Sequence, residues 1–143
     1  MVIDRSTDTE YKGSVRTLLG VNKDDEITLP GEDIDDMAII DKAEMDVLSY
    51  LPAAADITDK RVRLAVIYTM AANLCPSMPA KVEIEVKGID SGWKRKPINY
   101  DELAERLLGQ AYILLTPLLE EVGGYDLFKI APSKRAVTER ENL

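Results

Sequence analysis

The chain has 143 residues, 45% of them hydrophobic, and a formal charge of −8 from 26 acidic and 18 basic side chains. That is the size of one ordinary domain with apolar mass for one core, and its acidity excludes broad affinity for nucleic acid phosphates, which takes clustered Lys and Arg. Histidine is absent, which removes the commonest general base and the Ser-His and Cys-His nucleophile pairs, and a lone cysteine excludes an internal disulfide or a CxxC metal site.

Aromatic residues make up only 6% of the chain, so the core is expected to be aliphatic, as in helix-on-helix packing. No charged-then-apolar leader is visible at the start, and synthesis in the cytoplasm is expected. Residues 1–7 are polar and without period, which predicts a loose arm. From Asp8 a short helix is expected, with Tyr11, Val15, Leu18 and Leu19 at i, i+4, i+7 and i+8, a cap at Thr7 or Asp8, and Gly20 as the left-handed residue after its end. Residues 21–31 read as an acidic loop with a Pro-Gly turn.

Asp33 is expected to cap a second helix that runs to about residue 51 and is closed by Pro52, with Met37, Ile40, Val47, Leu48 and Leu51 as its apolar stripe. Glu44 falls inside that stripe. It either sits at an edge and reaches water, as carboxylates usually do, or pairs with Arg61 or Arg63 of the next helix.

That next helix, residues 61–75, is predicted to be the central post of the fold. Leu64, Ile67, Tyr68, Ala71, Leu74 and Cys75 line one face, and Val62, Ala65, Val66, Met70 and Ala72 cover most of the other. Thr58 or Asp59 caps it. At about fifteen residues, with Arg61 and Arg63 at its start, it is too short and too charged to span a bilayer. Cys75 is expected to be buried and inert, and Pro76-Ser77-Met78-Pro79 to stop the helix. Such apolar girth exceeds what two flanking helices cover, so either the final helix and the following arm wrap it or a neighbouring subunit does.

After the prolines the period changes. Val82, Ile84 and Val86 alternate with charges over residues 81–87, residues 88–92 are turn chemistry, and Trp93-Lys94-Arg95-Lys96 returns, which predicts a β-hairpin or extended arm at about 81–97. A lone hairpin is marginal in water and must lean on the helices or on another chain. Asn99 and Glu102 form a capping-box pattern for the longest helix, whose face is Leu103, Leu107, Ala111, Leu114, Leu115, Leu118 and Val122. Pro117 should bend it, and Gly123-Gly124 should end it. Residues 125–143 form a tail in which only Tyr125, Leu127, Phe128 and Ile130 offer an anchor.

Carboxylates are the only abundant reactive groups. Glu102 and Glu105, Asp33 and Asp36, and Asp41 and Glu44 lie one turn apart, the kind of spacing with which all-helical nucleoside-triphosphate pyrophosphohydrolases hold Mg²⁺. First-turn acids also simply complement a helix dipole, and a second deep acid pair is missing. Asn22-x-Asp24-x-Glu26 starts like a calcium loop, but Ile27 stands where an EF-hand requires Gly. Trp93 beside three basic residues reads as a protein contact or a cover for a neighbouring helix, rather than a phosphate site.

The order of parts resembles the head–tail connector, or adaptor, proteins of long-tailed bacteriophages. The resembling parts, over roughly residues 8–122, are a short helix ending LLGV, an acidic NKDDEI loop, a helix closing at SYLP, the buried LAVIYTMAANLCPS helix, the charged arm KVEIEVKGIDSGWKRKPIN and a long final helix with a polar tail. The resemblance implies a small helical bundle that forms a dodecameric ring beneath the portal and extends the DNA channel. It also implies that the C-terminal segment docks on the portal.

The sequence is therefore read as a mainly α bundle of about four helices over residues 1–124, with one hairpin or arm and a C-terminal tail, 125–143. Its expected role is structural, with no enzymatic activity, cofactor or metal. The expected place is the virion neck, after synthesis in the host cytoplasm. The expected partners are itself as a ring of twelve, the portal protein and a stopper or tail-terminator protein. Double-stranded DNA passes without specific contact, and no membrane is involved. Val82, Ile84, Val86, Trp93, Lys94, Arg95 and Lys96 are the candidate subunit or neck-protein contacts. Tyr125, Leu127, Phe128 and Ile130 are the candidate portal anchor, against the plain alternative of a frayed end. A Mg²⁺-dependent pyrophosphohydrolase and a small acidic regulatory adaptor are the alternatives.

Overall fold

A computed structural model describes residues 2–82 and 98–121. It is mainly helical, and no strand occurs among the described residues. Helix α1 spans Tyr11–Leu18, α2 Gly31–Ile34, α3 Lys42–Tyr50, α4 Lys60–Leu74 and α5 Tyr100–Glu121. Among the described residues no helix is long and apolar enough to cross a membrane.

Helix α4 is the post, as its composition predicts. It packs most extensively against α5, then against α3 and α1. Val62, Ala65, Val66, Met70 and Ala71 are fully enclosed. Asp59 starts it: the carboxylate accepts the Arg61 amide at 2.8 Å and holds the Arg61 guanidinium at 2.9 Å. Only Leu64 among its large apolar side chains stands open, at 40% exposure. The helices of the same chain cover the rest, so the girth of α4 asks for no neighbouring subunit.

The N-terminal residues are not a loose arm. Ile3 is fully buried, and the Glu44 carboxylate accepts the amides of Val2 and Ile3, at 2.5 and 3.0 Å. Glu44 is itself buried, so both readings of it, water at an edge or a pair with Arg61 or Arg63, give way to a third. It satisfies backbone donors that would otherwise be orphaned where residues 2–3 cross α3. The expected close of α1 does occur: Gly20 has φ of 78°, the Val21 amide donates to the Arg16 carbonyl at 2.9 Å, and the Gly20 amide donates to Thr17 at 3.1 Å. This is a Schellman ending.

The second helix is not continuous. The chain enters α2 after Pro30, breaks at Asp35 and Asp36, and resumes as a π-type turn over Met37–Asp41 before α3. Aspartates compete for nearby donors, and here one takes a backbone amide and the other a side-chain hydroxyl. Asp36 accepts the Ala38 amide at 2.9 Å, and Asp35 accepts the Tyr11 hydroxyl at 2.5 Å. The break rotates Met37 out of the expected stripe to 76% exposure, while Ile40 and Val47 stay buried.

Pro76 and Pro79 do not stop the chain from being helical. After Leu74 it tightens into a 3-10 turn, Cys75–Ser77, and is helical again at residues 78–82. Pro76 lies in the first turn of that segment, where its missing amide costs nothing, and fully buried Met78 pulls the turn onto the core. Lys81 and Val82 are consequently helical rather than extended. The rest of the expected hairpin, 83–97, lies outside the described residues. Asn99 begins α5 as predicted, its side chain accepting the Glu102 amide at 3.1 Å, and the helix continues through Pro117.

Candidate functional site

Of the contact residues expected from sequence, Val82 is half-buried and packs against the core, so it offers a partner only part of its side chain. Ile84, Val86, Trp93, Lys94, Arg95 and Lys96, and the tail residues Tyr125, Leu127, Phe128 and Ile130, lie outside the described residues.

Most of the acids weighed as metal ligands have other partners. Asp33 pairs with Lys81, Asp36 caps its turn, Asp41 pairs with Arg5, and Glu44 holds the Val2 and Ile3 amides. Glu102 and Glu105 are exposed on the first turns of α5. Among the described residues no three His, Cys, Asp or Glu side chains come together to hold an ion. The Asn22-x-Asp24-x-Glu26 run folds as a sequence of turns: Asn22 accepts the Asp24 amide at 3.0 Å, and Glu26 takes the Arg16 guanidinium at 3.0 Å. Cys75 is buried, and that burial pushes its thiol up to about 11, far from a reactive thiolate.

Two concave surfaces lie among the described residues. One, of about 750 Å³, opens between α1 and α4. Lys12, Lys23, Glu10 and Asp24 ring it, with Leu64 and Tyr68 below. Charges of both signs line its mouth, which defines no ligand chemistry.

The other, of about 390 Å³, lies between α3 and α5 over α4. Val47, Ala111 and Leu115 are buried beneath it, and Tyr50, Leu108 and Tyr112 stand around it at 59%, 48% and 49% exposure. The Tyr50 and Tyr112 rings meet edge to face with centroids 6.4 Å apart. Two polar groups on its α4 side are already bonded: the Thr69 hydroxyl donates to the Ala65 carbonyl at 2.8 Å, and the Asn73 carboxamide donates to the Ile39 carbonyl at 3.2 Å. Its floor is apolar and its rim aromatic.

A single apolar stripe per helix does not reveal this groove. Leu108 and Tyr112 form a second i, i+4 row on α5, beside Ala111 and Leu115, and that doubled width was the available signal. Two further apolar side chains are held out on fixed turns. Ile27 is 90% exposed on a turn whose amides at Ile27 and Thr28 both donate to Asp25 at 3.0 Å, and Met37 is 76% exposed beside the Asp36 cap.

Compared with known proteins, the chain matches no family model, no curated protein and no solved structure.

Proposed function

We propose that this chain is a non-enzymatic structural subunit of a phage neck, a ring that joins the portal to a stopper or tail-terminator protein and extends the DNA channel. The reading rests on the order of parts along the sequence. The observation that carries it is the presentation of Ile27 and Met37: large apolar side chains held outward by hydrogen-bonded aspartate turns. A backbone fixed in this way loses little further entropy on contact, which suits an assembly surface. The net charge of −8 is a second support, since an acidic lumen repels phosphates and lets DNA slide.

In this reading identical subunits meet head to tail, as a closed ring requires. Ile84, Val86, Trp93, Lys94, Arg95 and Lys96 contact the neighbouring subunit or the next ring. Tyr125, Leu127, Phe128 and Ile130 dock on the portal. Mass measurement under native conditions, with an image of the particles, tests the proposal. A ring of about twelve subunits, or a monomer that assembles only on a portal, supports it; a tight dimer or tetramer that hydrolyses nucleotides with Mg²⁺ overturns it.

A further inference from the structure

We propose that the groove between α3 and α5 is the seat of this chain's own C-terminal segment, residues 125–130, with Leu127 and Phe128 entering beside Tyr50 and Tyr112. At about 390 Å³ the groove is at the small end of ligand pockets, which run from about 300 to 1,000 Å³. Its floor is buried, its rim is aromatic, and its Thr69 and Asn73 side chains are already bonded to carbonyls. An apolar segment with an aromatic residue is the occupant that this chemistry fits.

The chain carries such a segment within reach. Four of the six residues 125–130 are apolar, Phe128 is the only phenylalanine in the sequence, and residues 133–143 that follow are mostly polar. Helix α5 rises about 1.5 Å per residue, which puts Leu115 and Leu108 roughly 9 and 20 Å back from Glu121 along its axis. Residues 122–128 can span up to about 24 Å when extended, and Gly123-Gly124 lets the backbone reverse. Phe128 therefore reaches the whole groove from the end of its own helix.

Charge agrees as well. The rim carries one ion pair, Lys42 with Asp46 at 2.7 Å, and the segment carries one residue of each sign, Asp126 and Lys129. A second copy could bring the same residues, but a tether this short gives its own segment an effective concentration in the mM range. The seat shelters the apolar tail residues in the free protein. The identity of whatever competes for them rests on the connector reading; the seat itself does not.

The test uses the full chain with Ser49→Cys on the groove and Lys129→Cys in the segment, under mild oxidation. Buried Cys75, its thiol pushed up to about 11, stays out of the exchange. The pair should close within one chain, at a rate independent of protein concentration and about tenfold above a pair of Lys129→Cys with Asp24→Cys at the other groove. Adding Phe128→Ser should remove about a tenfold advantage. Equal rates for the two pairs, or a disulfide that forms only between chains, overturns the proposal. No portal is present in the assay, so failure here leaves the ring reading untouched, and a chain that forms no ring can still pass.

Discussion

Arg63 and Asp8, 55 residues apart, form a two-pronged ion pair, Nε to Oδ2 at 2.8 Å and Nη2 to Oδ1 at 3.0 Å. The Asp8 carboxylate also accepts the Glu10 amide at 3.1 Å, so one side chain sets both the entry to α1 and the place of that entry on α4. The fork geometry is the one that only arginine supplies.

Asp8→Asn should therefore lower stability by about 1–2 kcal/mol. Urea unfolding should show a lower midpoint with an unchanged slope. Arg63→Lys keeps the charge but loses the fork, and should fall between the wild type and Asp8→Asn. A midpoint unmoved by either change would mean that the pair contributes nothing beyond its two hydration shells.

Acid should loosen the starts of α1 and α4. The Arg63 guanidinium holds the Asp8 carboxyl below its usual range, and the Arg61 side chain and amide hold Asp59 down at about 2. A carboxyl depressed in the folded state contributes stability that is complete above its unfolded value near 3.8 and is lost as pH falls toward its folded value. Stability should hold at pH 5 and drop between pH 4 and 2, and Asp59→Asn should flatten that drop. Stability that is flat down to pH 2 would contradict the assignment.

Arg16 is the buried pin of the acidic loop. Its side chain is 5% exposed; Nε donates to the Leu29 carbonyl and Nη1 to the Lys23 carbonyl, each at 2.9 Å, while Glu26 takes the remaining fork. Arg16→Leu leaves two carbonyls without their donor and should cost about 3 kcal/mol. Amide exchange in residues 23–29 should rise more than in α5. Uniform change across both regions would place the effect in the global fold instead.

Glu44→Ala should release the N-terminal residues, because the Val2 and Ile3 amides lose their acceptor. The expected loss is about 2–3 kcal/mol, including part of the burial of Ile3. Glu44→Gln retains one acceptor oxygen and should cost about half as much. Limited proteolysis near residue 3 reads the release; a cleavage pattern identical to wild type would sink the idea.

Two changes probe the assembly reading. Trp93→Ala should reduce ring formation while leaving helical content intact by circular dichroism. A chain truncated after Gly124 should lose affinity for its portal. Unaltered rings in the first case, or undiminished portal binding in the second, would remove the corresponding contact from the proposal.

Helix type, order and the central role of α4 were legible because they depend on local period and on how many apolar residues a stretch contains. The Asp59 cap, the Gly20 reversal and the Asn99 start were legible for the same reason: each is a bond between residues two to five apart. The alternation at Lys81 and Val82 misled, because a two-residue-period pattern next to a proline turn yields when a buried neighbour such as Met78 draws the chain into helix.

What the tertiary structure decided is which polar group meets which across the fold. Glu44 was offered two plausible partners by its place on a helical wheel and took neither, because the amides of Val2 and Ile3 approach from residues about 40 positions away. Arg63 went to Asp8 for the same reason. The groove between Tyr50 and Tyr112 exists only where α3 and α5 diverge over α4, a matter of crossing geometry that no single helix encodes. The sequence by itself determined that the chain is mainly helical and which helix has to be enclosed. Long-range packing determined which carboxylates anchor the chain ends and where apolar surface stays open, because those are set by distances between residues far apart in the chain.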